Sequence, residues 1–180
     1  MAYAIRKAGQ QDLPRMNEIY AAARQFMRDS GNHTQWGEGD RPEDLLEEDI
    51  LQGQLYVLTE KTEDKEEIHA VFVFADGPDP SYAEIKNGRW LSDEAYAVVH
   101  RVASDGTVHN VFGQIMEYCK ARVPHLRIDT HEDNAVMQHV IEKCGFKRCG
   151  IIYVSNGTPR IAYGLQDKSI LLLKNHAAFL

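Results

Sequence analysis

The sequence predicts an α/β domain built around one mixed sheet, and three observations support this fold class. Short segments in which apolar and polar residues alternate are typical of strands with one buried face. Longer segments with apolar residues three and four positions apart are typical of helices that bury one side. Some predicted strands follow one another directly and others are separated by a helix, so hairpins and βαβ crossovers both contribute to the sheet.

The first half of the chain predicts a strand, two helices and a hairpin. Residues 3–7 alternate as a strand does, and apolar residues then recur at helical spacing from Leu13 to Met27. Pro14 suits the first turn of that helix and Gly31 suits its end. The remaining elements are a short acidic helix at 42–53, strands at 55–59 and 68–74, and loops at 32–42 and 76–94.

The second half predicts strands that alternate with helices and then a final hairpin. The stretch HEDNAVMQHVIEKCGF gives the clearest helix, because Asn134 can cap its first turn and Gly145 can close it in the left-handed conformation. Phe146 is expected to fold back over the last turn. The predicted elements are a strand at 95–103, helices at 111–122 and 134–144, and strands at 126–130, 147–154 and 160–163.

Composition limits the classes of function. The chain has 180 residues, enough for the core of a single domain spanning 1–180. It lacks an apolar run of the roughly 18–20 residues that a membrane helix needs, and its N-terminus lacks a signal-peptide pattern, so we expect a cytoplasmic protein with no membrane partner.

The net charge of −7 disfavours nucleic acid and favours the approach of a cationic partner. The cysteines Cys119, Cys144 and Cys149 lack a CxxC pair, so neither a disulfide framework nor a zinc site is expected.

Two local patterns, together with the order of elements, resemble the GNAT superfamily of acetyl-CoA-dependent N-acetyltransferases. The first is HEDNAVMQHVIEKCGFKRCG, in which Asn134 precedes a helix that ends in Lys-Cys-Gly-Phe at 143–146. The second is VVHRVASDGTVHNVFGQIMEYCKAR, a strand, loop and helix in the region where the family binds pyrophosphate. The resemblance covers roughly residues 3–163 and leaves 164–180 as a C-terminal extension. It implies a largely antiparallel mixed sheet with flanking helices and a splay between the fourth and fifth strands.

The same resemblance implies a binding site for acetyl-CoA as co-substrate. Backbone N–H groups before and within the first turn of the helix at 111–122 are expected to hold the pyrophosphate. The segment lacks the glycines usual in the family, and Asn110 is the best substitute because Asn tolerates left-handed geometry. The pantetheine arm is expected to pair with the fourth strand as an added strand would. The residues assigned to acetyl-CoA are Val102, Ala103, Thr107, Val108, His109, Asn110, Val111, Phe112 and Asn134.

Catalysis of acyl transfer to an amine requires a base or an ordered water, and is helped by an acid. His100, on the fourth strand, is the first candidate for the base, and His131 with the neighbouring Glu132 is the second. The alternatives are that His100 is a packed strand histidine and that His131 bounds a turn. Many members of the family that this chain resembles have, at the position of Ile141, a tyrosine that donates a proton to the departing thiolate. Ile141 cannot donate one, so the resemblance implies that Tyr153, another tyrosine such as Tyr163, or water is the proton donor here.

Other reactive groups give weaker hypotheses. Cys144 has no identifiable base beside it and is interpreted as structural. The histidines lack HExxH or a comparable spacing, so no metal is expected.

The acceptor is expected to be a primary amine of a small molecule or peptide, attacked directly in a ternary complex. Trp36 and Trp90 could form the walls of its pocket or stack on its charge, although Trp36 could equally anchor its loop. Acidic neighbours could hold the charge: Glu38, Asp40 and Asp93.

The alternative function is a non-catalytic, CoA-binding sensor or interaction module. The apolar tail SILLLKNHAAFL is expected to pack on the sheet or on a second subunit, which would make the protein a homodimer.

Overall fold

The computed structural model describes residues 2–33, 35–36 and 41–167. Each predicted strand and helix is present, with its ends shifted by at most a few residues. The last strand continues to Gln166, so the sheet extends past the predicted limit of residue 163. The tail 169–180 lies outside the described residues, and the role expected for it stays a prediction. The elements are β1 (Ala2–Lys7), α1 (Leu13–Asp29), α2 (Leu46–Leu51), β2 (Leu55–Lys61), β3 (Glu66–Asp76), β4 (Ala97–Ser104), α3 (Val111–Lys120), β5 (His125–Thr130), α4 (Ala135–Lys143), β6 (Lys147–Tyr153) and β7 (Pro159–Gln166).

The strands form a seven-stranded sheet in the order β1-β2-β3-β4-β5-β7-β6. The pairs β1/β2, β2/β3, β5/β7 and β6/β7 are antiparallel. β4 and β5 are parallel and pair at Ala97 with Leu126 and at Val98 with Arg127. The predicted mixed, largely antiparallel sheet with flanking helices is therefore confirmed.

The described residues group into two compact units. The first unit contains the chain up to Phe74 together with His100–Ile115, and the second contains Ala75–Val99 and the residues from Met116 onward. Fully buried side chains in the first unit include Tyr20 from α1 and Phe72 from β3. In the second, Tyr82 packs with Val98, Ile152 and Ala162. Within the described part of the chain, every helix is too short or too polar to cross a bilayer.

β4 contains a bend in the first unit. Arg101 has a φ of 49°, a left-handed conformation that is unfavourable for a non-glycine residue by roughly 1–3 kcal/mol. The hydroxyl of Tyr20 donates to the Arg101 carbonyl at 2.7 Å, and the Arg101 guanidinium is paired with the carboxylate of Asp49. Both partners are buried, Tyr20 in α1 and Asp49 in α2. The two helices therefore hold the strained backbone of β4 in place.

The long connection between β3 and β4 lies along the outer strand of the second unit. The backbone groups of Lys86 and Ile151 exchange two hydrogen bonds of 2.8 and 2.9 Å. Farther along the connection, a Cβ atom added to Gly88 would lie 1.9 Å from the carbonyl oxygen of Cys149. Only glycine allows this close approach, so the segment predicted as a loop is fixed to the edge of β6.

Removing the carboxylate of Asp49 is expected to destabilise the chain. Asp49→Ala leaves the mostly buried Arg101 guanidinium without its partner, which we expect to lower the free energy of unfolding by about 2–3 kcal/mol. Urea denaturation at pH 7 measures the change. Glu47→Ala removes an exposed carboxylate from the same helix and should change the free energy by less than about 0.5 kcal/mol. Equal effects of the two substitutions would contradict the role given to Asp49.

Candidate functional site

The turn that follows β4 is organised around the carboxylate of Asp105. Oδ1 accepts hydrogen bonds from the backbone N–H of Thr107 at 3.0 Å and from its hydroxyl at 2.6 Å. Oδ2 accepts from Arg15 in α1 at 2.6 Å and lies 3.1 Å from Nδ1 of His69 in β3. The turn is thereby fixed to a helix and to a strand of the same unit.

The hydrogen bonds around Asp105 change its acidity. Burial raises the pKa of the Asp105 carboxyl, but the hydrogen bonds from Thr107 and the proximity of His69 lower it by more. The net result is a pKa below the ordinary value, so the carboxylate is ionised at neutral pH. It is therefore a stable acceptor for the groups that order the turn.

Two residues of this turn have left-handed backbone conformations. Gly106 has a φ of 77°, and Asn110 has a φ of 55°, as predicted for the residue that replaces a family glycine. The Asn110 carbonyl accepts from the N–H of Gln114 at 3.1 Å, so the backbone passes directly into α3. A Cβ atom at Gly113 would lie 2.5 Å from the Asn110 side chain, so the glycine leaves room for the Asn110 amide in this position.

The start of α3 presents backbone donors at the end of this turn. The first N–H groups of any helix have no partner within the helix. In α3 these free donors lie in its first helical turn, which begins at Val111. The side chains of Val111 and Phe112 are buried, whereas His109 is exposed. The Thr107 amide is already bonded to Asp105, which weighs against its predicted role as a donor to pyrophosphate. Donors for an anion are therefore expected from 108 onward.

His100 lies on β4 directly before the left-handed Arg101, and its side chain is half-buried. Val102 and Ala103, the predicted partners of pantetheine, follow on the same strand. All three belong to the first unit together with the turn at 105–110. The first candidate base and most of the predicted cofactor residues therefore belong to one unit of the structure.

Comparisons with solved structures find the same fold in acetyltransferases of the GNAT family. An acetyltransferase of the GNAT family from Streptococcus agalactiae is 27% identical, with a TM-score of 0.77 over 92% of this chain and 95% of that chain. A GNAT acetyltransferase from Listeria monocytogenes is 18% identical, with a TM-score of 0.66 over 91% and 94%. The ribosomal-protein-S18-alanine N-acetyltransferase from Escherichia coli is 15% identical, with a TM-score of 0.55 over 92% and 94%.

The chain belongs to the GNAT superfamily. No protein-family model matches the sequence, and no curated protein matches it. The structural neighbours support an acyltransferase class and acetyl transfer as the general reaction.

In the second unit of this GNAT chain, His131 and Asn134 shape the turn before α4. Nδ1 of His131 accepts from the backbone N–H of Asp133 at 3.2 Å, and its carbonyl accepts from the N–H of Asn134 at 3.1 Å. Asn134 Oδ1 accepts from the N–H of Met137 at 3.1 Å, which confirms the predicted helix cap. These contacts favour the reading in which His131 bounds a turn.

The tyrosine candidates for the acid differ in exposure. Tyr153 ends β6 with 53% of its surface exposed, whereas Tyr163 is fully buried. The Tyr163 hydroxyl donates to Glu142 at 3.3 Å, and burial raises its pKa. Tyr163 is accordingly held as a hydrogen-bond donor within the fold, and the role of Tyr153 stays a prediction.

The cysteines have the character of structural residues. All three are free of disulfides. Burial raises the pKa of Cys144, and it raises that of Cys119 to about 12. A raised pKa lowers the fraction of nucleophilic thiolate at neutral pH, which supports the interpretation of Cys144 as structural.

The two tryptophans pack against their own units. Trp36 makes an edge contact with Tyr20 at 5.6 Å between ring centroids, which favours the anchoring role. The guanidinium carbon of Arg127 lies 4.1 Å from the centroid of the Trp90 ring and 3.7 Å from that of Tyr96. Trp90 therefore already holds a cation of the chain, and its contact with an acceptor stays a prediction. Glu38 and Asp40 lie outside the described residues, and Asp93 is exposed.

A buried polar group in the second unit was missed by the sequence analysis. The Tyr82 hydroxyl donates to Oδ1 of Asp129 at 2.7 Å, and Nε of Arg160 lies 3.9 Å from Oδ2. Burial, together with the Asp129 charge, raises the pKa of Tyr82 far above its usual value. The sequence contains a signal for this group: Arg127 and Asp129 place charges at alternate positions of β5 (HLRIDT), where an ordinary buried strand has apolar residues.

Loss of the Asp105 charge is expected to destabilise the chain at neutral pH. Asp105→Asn weakens the bonds from Arg15 and Thr107, so the free energy of unfolding at pH 7 should fall by about 2 kcal/mol. Because the pKa of Asp105 is lower in the folded chain, its contribution is present above about pH 4 and is lost as the pH falls through the folded value. The gap between wild type and variant should therefore close on acidification.

Urea denaturation between pH 3 and pH 7 tests this pH dependence. Asp64→Asn, which removes an exposed carboxylate from the turn between β2 and β3, is the matched control and should follow the wild type throughout. A gap that stays constant with pH would show that the Asp105 charge does not stabilise the turn.

Proposed function

We propose that the chain is an N-acetyltransferase that moves the acetyl group of acetyl-CoA to a primary amine of a small molecule or peptide, by direct attack in a ternary complex. The observation that carries the proposal is the turn at 105–110, because its two left-handed residues lead the backbone into the N-terminus of α3. A GNAT fold with such a turn has the donors that a nucleotide diphosphate needs.

The diphosphate of acetyl-CoA would be held by backbone N–H groups at the start of α3. These donors need no side chain, and the positive end of the helix dipole favours the anion. Gly106 and Asn110 supply the left-handed conformations that turn the backbone toward the ligand. The absence of further glycines is compensated by Asp105, which holds the turn in one conformation before the ligand arrives.

The pantetheine arm would bind along β4 after the bend at Arg101. Its amide groups can pair with an extended strand, and the backbone groups of Val102 and Ala103 are the expected partners. Because Arg101 is left-handed, regular strand geometry is interrupted immediately before these residues. The interruption supports a role for this part of β4 in binding an extended ligand.

His100 would act as the base that takes a proton from the acceptor. An alkyl amine with a pKa of about 10.4 is mostly protonated at pH 7, and forming its neutral state costs roughly 4–5 kcal/mol. A histidine can take that proton near neutral pH, directly or through one water. The departing thiolate has a pKa close to that of a cysteine, about 8.5, so Tyr153 or water suffices as its proton donor.

The acceptor class is supported by charge. The chain has a net charge of −7, which favours the approach of a cationic amine or a basic peptide. A structure of the NatC complex bound to Gag peptide and CoA has the same fold, with a TM-score of 0.53 at 13% identity. It supports the ability of this fold to hold CoA together with a peptide.

The second candidate function is a sensor or interaction module that binds CoA without transferring the acetyl group. This candidate is supported by Ile141, a fully buried apolar residue at the position where many relatives have a tyrosine that acts as the general acid. Binding and turnover must therefore be measured separately.

Acetyl-CoA is expected to stabilise the chain against heat. At a ligand concentration of about 100 times the Kd the gain is about 2.7 kcal/mol, which corresponds to a rise in Tm of roughly 5–10 °C for a chain of this size. Gly106→Val forces a β-branched residue into a left-handed conformation in open space and should weaken acetyl-CoA binding about tenfold. The change in Tm and isothermal titration calorimetry measure both effects.

Gly157→Val is the matched control, because Gly157 also has a positive φ and open space but lies in the turn between β6 and β7. It should bind acetyl-CoA as the wild type does. Release of free CoA thiol in the presence of a panel of amines (lysine, spermidine and a peptide with a free α-amine) then separates an enzyme from a sensor. His100→Gln should still bind acetyl-CoA but should release thiol at least about 100-fold more slowly than the wild type. Binding without thiol release for any amine would favour the sensor, and no binding would overturn both functions.

A further inference from the structure

Three side chains with metal-binding atoms meet at one edge of the hairpin formed by β2 and β3. The carboxylates of Glu60 and Glu67 and the imidazole of His69 each place a ligand atom within 4.8 Å of the other two. None of these residues belongs to the turn or strand assigned to acetyl-CoA. The group therefore needs a separate explanation.

The pairing of the strands places the two carboxylates of this group side by side. Glu60 and Glu67 are direct cross-strand partners, and like charges in that arrangement repel each other. Leu58 pairs with Ala70 while Thr59 pairs with Ile68, so His69 is an extra residue in a β-bulge. Bulges redirect side chains, and this one turns His69 toward the two carboxylates.

The imidazole of His69 has one bonded and one unbonded nitrogen. The residue is buried with 8% of its surface exposed, and Nδ1 lies 3.1 Å from Asp105 and 2.9 Å from the hydroxyl of Thr107. Among the described residues, Nε2 has no hydrogen-bond partner, and it lies 3.7 Å from the Glu60 carboxylate. Oε1 of Glu60 is likewise buried without a partner there. Buried polar atoms without partners are costly, and a bound cation would satisfy both.

We propose that Glu60, Glu67 and His69 form a binding site for a divalent transition-metal cation, with Zn²⁺ the best match. One imidazole nitrogen and two carboxylate oxygens suit Zn²⁺, and water can take the fourth position. Tetrahedral bonds of 2.0–2.1 Å place ligand atoms about 3.4 Å apart, so the 4.8 Å group must contract slightly. The exposed side chain of Glu67 can make that movement. The site departs from the expectation of a protein without metal.

The contacts of His69 resemble those of a metal ligand in a further respect. Histidines bound to metals commonly donate their second ring N–H to a carboxylate, which fixes the tautomer and the ring orientation. Asp105 supplies that carboxylate, and the same Asp105 accepts from the N–H of Thr107. Occupation of the site would therefore orient His69 and, through Asp105, stabilise the turn at 105–110. The metal site itself does not depend on the proposed acetyl transfer.

One charged group of the chain competes with a metal for these ligands. The ammonium of Lys65 is paired with Glu67 on the exposed side of the hairpin. Removal of Lys65 should therefore strengthen metal binding.

Isothermal titration of the EDTA-treated full chain with ZnCl₂ tests the site. The wild type should bind one Zn²⁺ per chain with a Kd in the micromolar range or below. Glu67→Gln should weaken binding at least about tenfold, and since Glu67 is exposed the variant is expected to fold. Glu63→Gln, an equal change of charge at an exposed position of the same hairpin, should bind as the wild type does. Lys65→Gln should bind several-fold more tightly.

Nuclear magnetic resonance of the histidine ring nitrogens supplies an independent readout. Addition of Zn²⁺ should shift the Nε2 resonance of His69 and leave a proton on Nδ1, whereas Asp105→Asn should weaken Zn²⁺ binding about 10- to 100-fold. The proposal is overturned if no stoichiometric Zn²⁺ binding occurs, if Glu67→Gln binds as tightly as the wild type, or if the Nε2 resonance of His69 is unchanged in excess Zn²⁺.

Discussion

The left-handed backbone of Arg101 interrupts β4 at the centre of the candidate site. A charged residue in this conformation is strained, and the strain persists because two buried partners hold it: the Tyr20 hydroxyl on its carbonyl and the Asp49 carboxylate on its guanidinium. His100 precedes the bend and Val102 follows it. The direction of the candidate base and the backbone groups available to pantetheine therefore both depend on contacts made by α1 and α2, far from Arg101 in the sequence.

Asp105 has a comparable role one turn farther along the chain. Its carboxylate joins Arg15, His69 and Thr107, and this network fixes the path of the backbone into α3. A preformed turn loses little conformational freedom when a ligand binds, which favours affinity. The network thus orders the turn through side-chain contacts within the chain. It also links the turn to His69, the buried member of the proposed metal site.

Much of the fold could be predicted because local chemistry determines it. Periodicity located the strands and α-helices that the described residues form, Asn134 was recognisable as a cap, and Asn110 as a left-handed residue. The bend at Arg101 could not be predicted, since nothing in VVHRVAS distinguishes it from a regular strand and its causes lie in α1 and α2. The same holds for His69: its approach to the carboxylates depends on a one-residue bulge, which leaves no periodic trace in the sequence.

A crystal structure of the chain with bound acetyl-CoA tests the central claim most directly. The account predicts a positive φ at Arg101, with the diphosphate oxygens within about 3.2 Å of backbone nitrogens in the first turn of α3. Regular extended geometry at Arg101, or a diphosphate bound away from α3, would contradict it.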